Sequence, residues 1–403
     1  MAAGGKPPKA ARASEARSEP KASGVHSGQP KASEGGPPQS SQQRILDGRA
    51  WAEFCDSLKR AGDVVLREGT PRDAFDRAEG YRYLSRLTRV ALESFLEFAD
   101  PLFPVLRRPA HETVKIGADN PDNYYQSAAL SGEHDYRVRG SRGTVHYLGF
   151  GSYAGGYGSA GRRGQTGYLD ASQLELAPGG RFEMILSSRE QPGNWLRMQP
   201  DTSLLIVRQT FQDRGQERIA ELTIERVGGE GGPQPITPEF VDRGLQAAAA
   251  YVAGTAGLFA DWAEGFALHK NQLSELDPAV AAAAHGDPNI LYFHGYWELA
   301  PGEALVIDVT PPRCDYWNFQ LNNHWMESLD YRYHTIALNH AQVRPRPDGS
   351  VRLVVSHQDP GAPNWIQTAG HRRGTMCLRW VGAKQHPAPK TRVVELGDLA
   401  SIL

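Results

Sequence analysis

The chain contains a divergent copy of part of itself, and nothing else in it constrains the fold as strongly. Pro347 to His357 reads Pro-Asp-Gly-Ser-Val-Arg-Leu-Val-Val-Ser-His and restates Pro178 to Ser188, Pro-Gly-Gly-Arg-Phe-Glu-Met-Ile-Leu-Ser-Ser. Asn364-Trp365-Ile366 then restates Asn194-Trp195-Leu196. These pairs lie 169 and 170 residues apart, and Asp315-Tyr316-Trp317 answers Asn123-Tyr124-Tyr125 at 192. Three matches in one order predict two homologous units of one topology. The first copy has 23 more residues between its landmarks. That excess is assigned to the Gly-rich stretch Gly149 to Gly167, read as a loop with a lid as the minority role.

Composition narrows the class. A chain of 403 residues suggests two or three domains. Hydrophobic content of 40%, charged content of 22% and a net charge of −2 suit a soluble globular protein. They supply no basic field for nucleic acid. No apolar run approaches the ~20 residues of a membrane span, and the N-terminus lacks the apolar core of a secretory signal. Cys55, Cys314 and Cys377 form neither a disulfide framework nor a zinc motif. A cytoplasmic location is the expectation.

Residues 1–42 hold almost nothing large and apolar, which predicts a disordered tail. Residues 43–110 read as a helical region. Trp51, Phe54, Leu58 and Val65 recur near helical spacing, and Thr70-Pro71-Arg72-Asp73 reads as a helix start with Thr70 as the cap. Arg82, Arg86 and Arg89 read as a solvated face paired with Glu79 and Glu93. Short β-type runs fill 111–232. Thr237-Pro238-Glu239 opens connecting helices over 233–286, where Gly254 and Gly257 predict a break or kink. The second β unit spans 287–382, and 383–403 is a C-terminal extension.

Two strands of the second copy carry unusual rows. Along Ile290 to Leu299, Tyr292, His294, Tyr296 and Glu298 oppose an apolar face. Along Asp315 to Trp325, Tyr316, Asn318, Gln320, Asn322 and His324 do the same. These side chains are mostly neutral, amphipathic and rich in donors and acceptors, unlike the Lys, Glu and Thr of a solvent-washed face. They suit a grip on a small ligand, and equally an interface with the first copy or another subunit. His324 and Glu327, three residues apart, could move a proton on a substrate. No metal-ligand motif is complete, so neither a metal nor an organic cofactor is expected. No nucleophile elbow, zinc-protease or dinucleotide motif appears. His357 reads as a hydrogen-bonded core residue, and the Asn-Trp pairs as structural corners with the Trp plugging the core.

Several longer motifs add a resemblance. They are Ala78-Glu-Gly-Tyr-Arg-Tyr-Leu84, Gly117-Ala-Asp-Asn-Pro-Asp-Asn-Tyr124, Tyr136-Arg-Val-Arg-Gly-Ser-Arg-Gly143, Gly167-Tyr-Leu-Asp170, both Asn-Trp corners and Asp315 to Glu327. Over residues 45–382 the chain resembles bacterial proteins of the domain of unknown function 1214, often found with domain 1254. The resemblance implies β-sandwich halves of jelly-roll type with added helices. It implies no agreed reaction and no catalytic residue.

The expected fold is α+β, mainly β: two related β-sandwich units, an N-terminal helical pair and a connecting helix. The expected function is cofactor-free hydrolase or lyase chemistry on a small organic molecule. His324 would be the general acid or base, Glu327 its partner, and Tyr292, His294, Asn318 and Asn322 the substrate-binding residues. The other readings are a non-catalytic small-molecule or carbohydrate-binding protein using the same face, and an assembly module whose rows meet another subunit of a homo-oligomer.

Overall fold

A computed structural model describes residues 39–157 and 164–402. The tail expectation therefore lies outside the described residues up to residue 38, while Ser41 and Gln42 already belong to a helix. The helices are α1 (Ser41–Leu46), α2 (Arg49–Ala61), α3 (Ala74–Leu92), α4 (Pro238–Ala267) and α5 (Pro278–Ala283). Thr237 caps α4 through the Phe240 amide, with Pro238 in the first turn as the sequence predicts. At α3 the cap is Asp73, which accepts from the Asp76 amide. The Thr70 hydroxyl instead donates to the Val65 and Arg67 carbonyls and closes the preceding 3-10 turn. Helix α4 runs unbroken through Gly254 and Gly257 for 30 residues. Its alanines, Ala248, Ala249 and Ala256 among them, share a core with Leu87 and Ala91 of α3. A Cβ on Gly244 would come within 2.5 Å of the Phe95 carbonyl, so this close approach requires glycine.

The first sandwich holds β1 (Asn123–Ala129), β2 (Tyr136–Ser141), β3 (Tyr147–Ala154), β4 (Gly164–Asp170), β5 (Arg181–Ser187), β6 (Trp195–Arg197), β7 (Thr202–Thr210) and β8 (Glu221–Arg226). After a short β9 (Ser274–Glu275) come β10 (Ile290–Glu298), β11 (Glu303–Val309), β12 (Tyr316–Leu321), β13 (Ala337–Asn339), β14 (Val351–Ser356), β15 (Trp365–Gln367), β16 (Arg373–Val381) and β17 (Lys390–Glu395). The sheets of the first sandwich are ordered β1-β7-β3-β4 and β6-β5-β2-β8. Those of the second are β10-β16-β12-β13, with β9 added at the β10 edge, and β15-β14-β11-β17. Strand for strand the order is the same, so β1 to β8 correspond to β10 to β17. β17 lies in the segment read as a C-terminal extension, yet it pairs with β11 and belongs to the second sandwich.

The equivalence extends to single hydrogen bonds. Asn194 Nδ2 donates to the Glu175 and Glu183 carbonyls, and Asn364 Nδ2 to those of Arg344 and Arg352. The two indoles donate to the carbonyls of Ser187 and Ser356. Both corners are therefore structural, although Trp195 and Trp365 are half-buried rather than plugs of the core. One of the three sequence matches is wrong. Asn123 begins β1, whereas Tyr316 begins β12, the counterpart of β3. The true partner of Tyr316 is Tyr147, and that of Asn123 is Ile290. The outlying separation of 192 arose from this mismatch, and the 23-residue excess disappears with it. Within Gly149 to Gly167, residues 149–154 and 164–167 belong to β3 and β4, which pair antiparallel, and residues 158–163 lie outside the described ones.

Helix α3 docks onto the second sandwich through the turn after β12. The Trp325 ring packs where a Cβ on Gly80 would meet it at 2.7 Å, and its Nε1 donates to the Asp76 carbonyl. Arg86, read from the sequence as solvated, is buried and pairs with Glu327 at 2.6 Å. Arg82 does pair with Glu79, whereas Arg89 donates to the Thr113 carbonyl rather than to an acid.

Candidate functional site

A cavity of about 570 Å³ lies where the two sandwiches meet the helices, within the ~300–1,000 Å³ of small-molecule sites. Strands show alternate residues to opposite faces. Phe293, Leu378 and Trp380 enter the second core, and Val207 and Leu205 the first. The residues between them turn away from both cores into the cavity: Tyr125 and Ser127 on β1, Arg208 on β7, Tyr292 and His294 on β10, Arg379 on β16. The helices contribute Phe95, Tyr251, Phe259 and Trp262.

The cavity sits on the duplication. Tyr125 pairs across strands with Arg208, and Tyr292 with Arg379. Under the strand equivalence Tyr125 matches Tyr292, Arg208 matches Arg379, and Ser127 matches His294. The approach of the two halves is also reciprocal. Tyr147 of the first sandwich donates to Asp287 before β10 at 2.9 Å, and Tyr316 of the second donates to Asp122 before β1 at 2.6 Å. Both receiving turns hold a proline. Asn120 Oδ1 accepts the Asp122 amide and Asp287 Oδ1 the Asn289 amide, each at 3.0 Å.

Both guanidiniums are deeply buried, Arg208 at 8% and Arg379 at 4% exposure. Among the described residues their hydrogen-bond partners are neutral. Arg208 donates to the Tyr153 hydroxyl at 2.9 Å and the His285 carbonyl at 2.5 Å. Arg379 donates to Asn318 at 3.3 Å, Gln320 at 2.5 Å and the Ala118 carbonyl. Burial, with Arg379 adding to it, pushes the His294 imidazole down to about 3, so the ring is neutral at physiological pH. Burial pushes the neighbouring Cys377 thiol up to about 11. The contact between His294 Nε2 and Cys377 Sγ, 3.6 Å, therefore joins two neutral groups and holds no thiolate nucleophile. The His294 ring stacks on Phe266 with centroids 5.2 Å apart.

The residues singled out from the sequence separate into three places. Tyr292 and His294 line the cavity. Asn318 and Asn322 lie behind it. Asn318 bonds Arg379 and Asn120, while Asn322 bonds Gln320 and Thr375. This second row meets the loop before β1, so it works as an interface with the first copy. His324 and Glu327 lie in the α3 docking turn. His324 Nδ1 meets the Tyr296 hydroxyl at 3.0 Å, its ring stands edge-on to Trp325, and burial holds it at about 3. Glu327 accepts from Arg86 at 2.6 Å and Asn323 at 2.9 Å. Neither is among the residues lining the cavity. His357 is bonded at both ring nitrogens, to Thr368 and the Leu299 carbonyl. Among the described residues no three metal-binding side chains come together.

Tyr125, Arg208 and Arg379 escaped the sequence reading. The signal was an arginine inside two otherwise apolar strands, Leu204 to Arg208 and Met376 to Arg379, at the separation of the duplication. An arginine buried on both sides in the same place of each copy points to something shared by the two halves.

Fold and cavity together define a tandem β-sandwich protein with a ligand-sized chamber between its halves. The chain belongs to the family described as protein of unknown function DUF1214, whose model matches residues 304–385, within the second sandwich. It is similar to a crystal structure of an uncharacterized protein from Burkholderia cenocepacia. The two are 54% identical with a TM-score of 0.87, covering 88% of this chain and 99% of that one. The VPA0106 protein from Vibrio parahaemolyticus is far more distant, at 11% identity and a TM-score of 0.44 over 78% of this chain and 98% of that one. No curated protein matches the chain.

Proposed function

We propose that this protein binds a small organic molecule in the chamber between its two sandwiches. The observation that carries this reading is the chamber itself: apolar aromatic walls converging on the duplicated Tyr-Arg pairs, in a volume suited to a small ligand. Binding without chemistry has better support than acid/base turnover by His324 and Glu327. Those two side chains already hold partners in the α3 docking turn. The three unpaired cysteines favour a reducing cytoplasm as the site of action.

The test is a screen of small organic molecules by thermal shift and titration, alongside native mass spectrometry of freshly purified protein. The expected result is a saturable complex of one ligand per chain. An Ile206→Trp substitution, which pushes an indole into the chamber from β7, should abolish that complex in a folded protein. A screen with no saturable ligand, or ligands indifferent to Ile206→Trp, would remove the chamber as the functional site.

A further inference from the structure

We infer that the chamber's ligand is a monocarboxylic acid with an apolar body, its carboxylate lying between Arg208 and Arg379; this rests on the binding function proposed above. Two cations out of water with no carboxylate in hydrogen-bond contact among the described residues are unfavourable, and more so when both face one space; Asp287 acts on Arg208, and Asp119 and Asp122 on Arg379, through the field alone. An anion entering that space relieves both. Its arrival requires little rearrangement, because neutral partners on the strands and loops already hold the guanidiniums.

Donors remain for it. Among the described residues the Nε of each arginine and the hydroxyl of Tyr292 have no protein hydrogen-bond partner, and all three belong to residues lining the chamber. The guanidinium fork matches the two oxygens of a carboxylate. Nearby acids are already engaged. Asp287, in the field of Arg208, takes the Tyr147 hydroxyl and the Asn289 amide, and Asp119, in the fields of Lys115 and Arg379, takes the amide and hydroxyl of Ser328. A third guanidinium lines the chamber at Arg107, which donates to Ser94.

A second pair of polar atoms supports the same assignment. Ser127 Oγ and His294 Nδ1, equivalent in the duplication and 2% and 4% exposed, are buried without a hydrogen-bond partner among the described residues. Such atoms are uncommon inside a folded protein unless something else meets them. The helical wall, with Phe95, Phe259 and Trp262, is apolar apart from Arg107 and suits an aliphatic or aromatic body.

The experiment compares acids with their own amides on the full chain. Hexanoate, decanoate and naphthylacetate are each titrated against the matching primary amide by calorimetry, with intrinsic tryptophan fluorescence, to which Trp262 in the chamber wall contributes, as a second readout. A charge-assisted pair of hydrogen bonds predicts that at least one acid binds about tenfold or more tighter than its amide. Arg379→Met and Arg208→Met should each close that gap by weakening the acid alone. If either arginine variant fails to fold, Tyr292→Phe serves instead. It keeps the ring, removes the unpaired hydroxyl, and should weaken the acid about threefold or more with the amide unchanged. Amides that bind as tightly as acids overturn the carboxylate assignment and leave the chamber's binding function standing. Failure of every acid and every amide to bind overturns both.

Discussion

Replacing Glu327 with alanine separates a structural role for this turn from a catalytic one. The carboxylate is 1% exposed, and its Arg86 partner, 2.6 Å away, is 10% exposed by side chain. Glu327 also accepts the Asn323 amide nitrogen at 2.9 Å. Removing one member of a buried ion pair leaves an uncompensated charge and costs about 3–5 kcal/mol. Arg86 has no second hydrogen-bond partner among the described residues to soften that loss. For a chain of this size the melting temperature should drop by roughly 4–7 °C. The double substitution Arg86→Met with Glu327→Met removes both charges and keeps the volume, so it should return to within about 1–2 kcal/mol of the parent. Urea and thermal unfolding followed by circular dichroism measure all three proteins. Chamber-ligand affinity is measured on the same Glu327→Ala sample and should be unchanged. A Glu327→Ala protein that melts like the parent but loses its ligand would refute this reasoning and return Glu327 to the functional site.

The Asn-Trp corners and the buried histidines give two further predictions. Asn364→Ala should cost about 3 kcal/mol, since a buried side chain loses three hydrogen bonds, and Asn194→Ala about 1–2 kcal/mol at its more exposed corner; equilibrium unfolding in which only one of them is destabilised would deny that the corners do the same job. His294 and His324 titrate near 3 when folded and near ~6.5 when unfolded, so the stability they contribute is complete above ~6.5 and is lost as pH falls toward 3. Asp76, pushed up to about 7 chiefly by burial and by the adjacent Asp73, acts in the opposite sense and destabilises as pH climbs from ~4 to 7. Asp76→Asn should flatten that part of the stability profile, and an unchanged slope in urea unfolding at pH 5, 6 and 7 counts against the buried acid.

What the sequence determined by itself was local or repeated. Cap residues act within a few positions of themselves, so Thr237-Pro238 announced α4 without help from the rest of the chain. Alternation along β10 and β12 depends only on the pleat, so the apolar and polar rows were legible. The duplication was legible because both copies kept the Asn-Trp corner, whose asparagine hydrogen bonds close over 11 to 20 residues. Only the tertiary structure decided what each polar row faces. The β10 row meets the chamber because helix α4 lies across it, with Phe266 stacked on His294. The β12 row is filled by the loop before β1, about 200 residues earlier in the chain. His324-Trp325-Met326-Glu327 looked like proton-transfer chemistry because a histidine and an acid sit close in sequence. Their partners, Tyr296, Asp76 and Arg86, come from other elements. A buried charge is explained by its counter-charge, and no local pattern says which distant helix will bring that counter-charge within 2.6 Å.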